Sequence, residues 1–379
     1  MLLRERFPIF NTKAYLNSCS HGALSTDVRA ALEAYLNDRD EYGSPWEDWV
    51  GKLETLRGRI AQLVHAGADE IAVTSSLSSG LNALVSAMDF TSGRRKVILT
   101  DFDFPTTAQI WRAQERRGAR VVTVPASSDG KSIPLAHFEQ CIDEETLLVS
   151  IPHVCYRNGS KLDVQPIIEL ARRHGALVFL DCYQSIGTTP IDAKALGVDF
   201  MAGGLLKYLI SSAGVAFMYV RQDLAERLEP TSSGWFCQED INAMDISCNR
   251  PAPNARRFEA GTPNVPNLYA GIAGLDLILG LGVEAIERDV NVLIGTIKAK
   301  AMQQGYRLAM PEATPQHGFL ITLESTDMHR LVHALGEDGV ITSCRDGNLR
   351  ISPHFYNNEE DVERLFAGLD KHGHLLKRR

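Results

Sequence analysis

The sequence has 379 residues, 44% apolar and 23% charged, and its 39 Lys and Arg against 47 Asp and Glu leave a net charge of −8. That balance fits a soluble globular protein with one large and one smaller domain. The lack of a basic block argues against a nucleic-acid partner, and the lack of an apolar run of about 18 residues against a membrane span. Taking the chain in order, Met1 to Asn11 mixes Arg and Glu with apolar residues and does not read as a secretory signal. Ser25-Thr26-Asp27 caps a helical pattern through Val28, Leu32, Tyr35 and Leu36, and a second helix is predicted near Trp49 to Val64. Short apolar strands follow at Ile71 to Thr74, Lys96 to Thr100, Arg120 to Val124 and Leu147 to Ile151.

The best-defined unit spans 163–181, where a helix opened by Asp163 stops at His174-Gly175 and an apolar strand, Ala176 to Leu180, follows. A wholly apolar strand after a helix points to a parallel sheet buried on both faces. Further strands are read at Phe200 to Ala202 and Val215 to Val220, then a loop-rich stretch from Pro230 to Asn267. Helices at Leu268 to Leu281 and about Val283 to Gln304 lead to strands at Phe319 to Leu323, Ile341 to Ser343 and Leu349 to Ile351. Helices at Met328 to Leu335 and Glu359 to Leu369 accompany those strands. The expected fold class is α/β: a large, doubly wound, mainly parallel sheet domain over about 26–266, and a smaller α+β domain over 267–379 that takes in 1–25. The seven cysteines are scattered and form no C-x-x-C pair, which predicts reduced thiols in a cytoplasmic protein and no metal site.

In such sheets ligands sit at the carboxyl ends of the strands. Asp181 ends an apolar strand, where a carboxylate is unfavourable unless paired. It is read either as a cap for the turn Cys182-Tyr183-Gln184 or as the partner of a protonated pyridine nitrogen. Lys207 follows the small-residue run Met201 to Leu206. Alone it reads as a snorkelling lysine, but ending the strand next to that of Asp181 it reads as a desolvated, reactive amine.

From here the resemblance is specific. The segments Phe179-Leu180-Asp181-Cys182-Tyr183-Gln184, Gly204-Leu205-Leu206-Lys207-Tyr208, Gly214 to Val220 and Arg257-Phe258-Glu259-Ala260-Gly261-Thr262-Pro263 resemble the class V aminotransferases of fold-type I. Cysteine desulfurases, kynureninases and isopenicillin-N-epimerase-like enzymes belong to the same family. The resemblance implies pyridoxal 5'-phosphate held as a Schiff base on Lys207, with Asp181 on the ring nitrogen and Gln184 on the ring hydroxyl. It puts Phe104 on the ring face and Ser76, Leu77 and Ser78 at the phosphate. Thr262 would reach the site of a neighbouring subunit, so a homodimer is implied. Arg350, with Tyr156 and Asn17, would bind an amino-acid substrate through its carboxylate, a task suited to the planar guanidinium. Each residue also has a plain reading: Phe104 as core, the serines as a helix cap, Arg350 as a surface strand residue and Gln184 as a turn cap.

The sequence also departs from its relatives. They usually carry Ser, Thr or Cys three residues before the lysine and His or Tyr just before it, where this chain has Gly204 and Leu206. Phosphate binding must then lean on Ser76, Ser78, backbone N–H groups and Thr262. Cys344 stands too close to Arg350 to sit on the loop that cysteine desulfurases need, and Gln238 and Thr262 break the kynureninase pattern. Aminotransfer is therefore the expected chemistry. A kynureninase-like lyase, hydrolase or epimerase and a non-catalytic dimeric scaffold are the alternatives.

Overall fold

The computed structural model describes residues 3–379. Among the described residues twelve strands form three sheets. The N-terminal segment supplies β1 (Ala14–Tyr15). The main sheet takes β2 (Ile71–Thr74), β3 (Lys96–Thr100), β4 (Arg120–Val124), β5 (Thr146–Pro152), β6 (Leu177–Asp181), β7 (Phe200–Gly204) and β8 (Ala216–Val220). Its order is β2-β8-β7-β6-β5-β3-β4, and β8 alone runs against its neighbours. The C-terminal segment supplies β9 (Ile321–Glu324), β10 (Val340–Ile341), β11 (Ser343–Arg345) and β12 (Asn348–Ile351). Here β11, β12 and β9 form an antiparallel sheet, while β10 pairs in parallel with β1.

The apolar strands exist because both faces of the main sheet are covered. Val178 and Leu180 of β6 pack into one core with Ile98, Val149 and Met201, and Phe179 packs into a second with Leu99, Leu148 and Phe200. Alternate side chains of β6 thus feed two separate apolar layers, and β6 carries no polar residue until it ends. The helix Val265–Leu281 lies against Thr26–Tyr42 and Trp46–Leu63. No single described helix is long and apolar enough to cross a membrane.

Strands β2, β3 and β4 match their sequence reading to the residue. Ile341 to Ser343, expected as one strand, is two: Thr342 separates β10, which pairs with β1, from β11, which pairs with β12. The strand expected at Phe319 begins at Ile321, because Phe319 and Leu320 are buried ahead of the ladder with β12. The helix expected from Leu268 starts at Val265, with Pro266 in its first turn, where a missing N–H has no consequence. Asn17 bridges Ser352, so the segment after β1 lies beside the C-terminal strands and reaches the rim of the main sheet.

Candidate active site

Strands β5, β6 and β7 are adjacent and parallel, with Pro152 opposite Asp181 and Asp181 opposite Ala202. Their carboxyl ends open onto a cavity of about 320 Å³, the size class of small-molecule sites. Asp181 stands at its floor because β6 runs out of apolar residues there. One carboxylate oxygen accepts the Tyr183 N–H at 2.9 Å and the other the Thr107 hydroxyl at 3.4 Å. Burial pushes this carboxyl above the ordinary range, against the two hydrogen bonds and the nearby Lys207 charge.

Lys207 comes from the turn after β7. The turn is tight: Ile210 donates its N–H to the Lys207 carbonyl at 3.0 Å and adopts a φ of 49°, a left-handed conformation unfavourable for a β-branched residue. Gly22 lies against the same carbonyl, where a Cβ would come within 2.4 Å, so only glycine lets the N-terminal segment pack there. The ammonium lies 4.5 Å from the Tyr183 ring centroid and 5.9 Å from that of Phe104. Among the described residues it has no hydrogen-bond or ion-pair partner. Burial pushes it down to about 8, with Arg350 and Arg345 acting the same way and Cys19 and Asp181 opposing. Since a neutral amine is needed to capture an aldehyde, cofactor uptake by the apoprotein is expected to speed up with pH through about 8 and level off above it. Stopped-flow absorbance across pH 6.5–10.5 checks this; a rise continuing towards 10.5 would deny the desolvation.

Phe104 is 42% exposed, so it is not a core residue. It faces the cavity at the start of the helix Pro105–Ala113, with its ring 4.9 Å from that of Tyr156 in an edge-to-face arrangement. Ser76, Leu77 and Ser78 line the same cavity. Ser76 also caps the helix Leu77–Ser86 by accepting the Ser79 N–H at 3.0 Å, so the capping reading holds alongside the cavity position. The buried Gln184 donates to the Cys19 carbonyl at 3.1 Å, while its buried Oε1 has no partner among the described residues.

Arg350 is 4% exposed and therefore not a surface strand residue. It donates to the Tyr156 carbonyl at 2.7 Å, to the Ser20 hydroxyl at 3.0 Å and to the Ser343 hydroxyl at 3.2 Å. No described carboxylate pairs with it; instead it braces Tyr156 and Ser20, both of which line the cavity. Asn17 is half-buried on the segment leading to Ser20 and does not line the cavity. Thr262 is not brought together with the others. It is exposed at the rim of a second cavity with Thr74, Ser75 and Ser79. Its motif is held in place by Glu259, which accepts the Val73 N–H at 2.8 Å, and by Arg257, which donates to three carbonyls. Cys344 also lies outside the main cavity; it faces His329, and burial pushes its thiol up.

Three residues near this cavity were not found in the sequence. Thr107 holds Asp181 from the first turn of a helix whose polar start gave no signal. Asp103 is buried between two lining phenylalanines; burial, with the Asp181 charge, pushes its carboxyl up to about 7, and its Oδ1 has no partner among the described residues. Tyr183 lies within the quoted motif, and the missing side chain at Gly204 was the signal that leads to it. A Cβ at residue 204 would lie 2.1 Å from the Tyr183 hydroxyl oxygen.

The family model for class-V aminotransferases matches residues 33–365. The chain belongs to that family. Its members include an uncharacterized aminotransferase, YcbU, of Bacillus subtilis, 36% identical over 95% of this chain and 94% of that protein. A kynureninase of Geobacillus thermodenitrificans is 28% identical over 95% of this chain and 88% of its own. Among solved structures, a cysteine desulfurase of Thermococcus onnurineus superposes with a TM-score of 0.87 at 21% identity, over 97% of this chain and 96% of that one. A C-DES mutant with glycine covalently linked to its pyridoxal-phosphate cofactor gives a TM-score of 0.88 at 22% identity, over 97% and 99%. At these identities the structures show the shared fold, the α/β fold-type I of pyridoxal-phosphate enzymes.

The residues of this family member fit that cofactor. The cavity offers an amine without a hydrogen-bond or ion-pair partner among the described residues, a buried carboxylate, a buried amide oxygen awaiting a donor, an exposed aromatic face and the hydroxyl-rich start of a helix. Buried polar atoms left without partners cost about 1–3 kcal/mol each, so their clustering marks a place for a polar ligand.

Proposed function

We propose that this chain is an amino-acid aminotransferase in which Lys207 carries pyridoxal phosphate and afterwards moves protons at the substrate's α-carbon. The observation that carries this reading is a largely desolvated amine, with no hydrogen-bond or ion-pair partner among the described residues, sharing one cavity with a buried carboxylate. When bound, the cofactor supplies an electron sink for bonds at that carbon. Asp181 keeps the ring nitrogen protonated, and Gln184 accepts from the ring hydroxyl through its free Oε1. Phe104 covers one ring face. The hydroxyls of Ser76 and Ser78 and the first N–H groups of their helix hold the phosphate, where a helix start favours an anion. We propose further that the protein is a cytoplasmic homodimer, in which the exposed Thr262 serves the partner's site. The chain would divide near residue 266 into a large cofactor-binding unit and a smaller one that includes 1–25.

Arg350 binds the substrate carboxylate in this reading, with Tyr156 and Asn17 beside it. In its support, the guanidinium is buried, unpaired by any described carboxylate and already oriented by two hydroxyls and a carbonyl. Losing a charge-assisted contact of this kind costs about 1.5–3 kcal/mol. Arg350→Lys and Arg350→Ala are therefore expected to raise the amino-acid concentration needed for saturation by roughly ten- to a hundredfold, with cofactor affinity unchanged. Spectral titration with an amino acid and with the matching amine checks this; equal weakening for both ligands would remove Arg350 from carboxylate binding.

The reaction class is tested by offering an amino-acid panel without an acceptor. An aminotransferase stops after one 2-oxo acid per subunit and resumes when another 2-oxo acid is added. Continuous turnover without an acceptor would instead support the second reading, a lyase or hydrolase, which the 28% identity to a kynureninase favours. A protein that stays colourless with added cofactor would be a scaffold.

A further inference from the structure

We propose that the Tyr183 hydroxyl is the side-chain donor to the cofactor's phosphate in this chain, taking the place that a residue-204 side chain would otherwise fill. The inference rests on the reading of Lys207 as the cofactor lysine.

Tyr183 follows the end of β6 by two residues, and Gly204 ends the neighbouring β7. The tyrosine crosses between these strand ends. A Cβ built on Gly204 would meet the phenol oxygen at 2.1 Å and ring carbons at 2.2 and 2.6 Å. The phenol therefore fills the space that any side chain at 204 would need, with its hydroxyl next to the position of the missing Cβ, and the two residues exclude one another. Glycine at 204 is what makes room for the phenol, so a long side chain at one strand end complements a missing side chain at the next.

Among the described residues the Tyr183 hydroxyl has no hydrogen-bond partner, although its ring is fixed beneath the Lys207 ammonium. Burial and the Asp181 charge push the phenol above its ordinary value, so it keeps its proton and is a donor. It lines the same cavity as Ser76 and Ser78. The hydrogen bonds at that helix start occupy the N–H groups of Ser76, Ser79 and Gly80, leaving those of Leu77 and Ser78 without an acceptor among the described residues. Phenol, serine hydroxyls and free helix N–H groups together make a donor-rich wall suited to an anion. The adjoining Leu206 contributes no polar group to it.

The test compares pyridoxal phosphate with unphosphorylated pyridoxal, each titrated into apoprotein and read by absorbance. Tyr183→Phe keeps the ring and its packing and removes only the hydroxyl. It is expected to weaken pyridoxal phosphate binding by roughly ten- to a hundredfold while leaving pyridoxal unchanged. The exchange Tyr183→Ala with Gly204→Ser should regain the preference for the phosphorylated form that Tyr183→Ala alone loses. Gly204→Ser alone should weaken both, because the new side chain collides with the phenol. An unchanged preference in Tyr183→Phe overturns the proposal, and so does an equal loss for both ligands, which would make Tyr183 a ring contact only. Should the parent protein itself fail to take up either compound on Lys207, the reading beneath the inference falls, and the inference with it.

Discussion

Asp181→Asn is expected to lower turnover by on the order of a thousandfold or more while leaving the fold intact. Among the described residues its carboxylate accepts two hydrogen bonds, from the Tyr183 N–H and the Thr107 hydroxyl, and an asparagine oxygen can still accept at that place. What is lost is the charge that keeps the ring nitrogen protonated, and with it the electron sink. The stability consequence has the opposite sign. Burial raises the folded-state pKa of Asp181 above its unfolded value, so its ionised form opposes folding at neutral pH. That penalty is absent below the unfolded value and is complete above the raised one. A neutral asparagine removes it, so thermal unfolding of the apoprotein at pH 7 should be unchanged or higher. Steady-state rates and melting curves check the two halves separately. Near-parental turnover would remove Asp181 from the ring nitrogen; a collapsed melt would make it a structural cap.

Lys207→Ala should abolish turnover and leave a folded protein that still binds the cofactor without covalent attachment. The amine supports nothing in the fold: it has no hydrogen bond or ion pair among the described residues, and its burial is unfavourable for its charge. The surrounding turn is held instead by backbone, through the Ile210 N–H to the Lys207 carbonyl and the Leu205 N–H to the Val215 carbonyl. Alanine preserves both. Activity assays with circular dichroism melts check this, and measurable turnover with a natural amino acid would contradict it.

The contrast between what the sequence disclosed and what it hid is physical. Strands β2, β3 and β4 were legible because each is a short run rich in apolar and β-branched residues, and in β6, apolar until its end, the closing polar residue stands out as Asp181. Pairing partners are not local, so the break at Thr342 between β10 and β11 was not visible: its residues stay in line while their hydrogen bonds go to different sheets. The plain readings of Phe104 as core and Arg350 as surface failed because exposure is set by tertiary packing, by the cavity that Phe104 lines and by the Tyr156 and Ser20 groups to which Arg350 donates, not by their own neighbours in sequence. Tyr183, just past the end of β6, and Gly204, at the end of β7, lie 21 positions apart. Only the register that puts Asp181 opposite Ala202 brings them together.

The most direct test of the account is to load the protein with pyridoxal phosphate, reduce it with borohydride and map the modified peptide by mass spectrometry. The account predicts one modified residue, Lys207, in parent protein and none in Lys207→Ala. A label on any other lysine, or no label on a protein that nevertheless turns over amino acids, would contradict it.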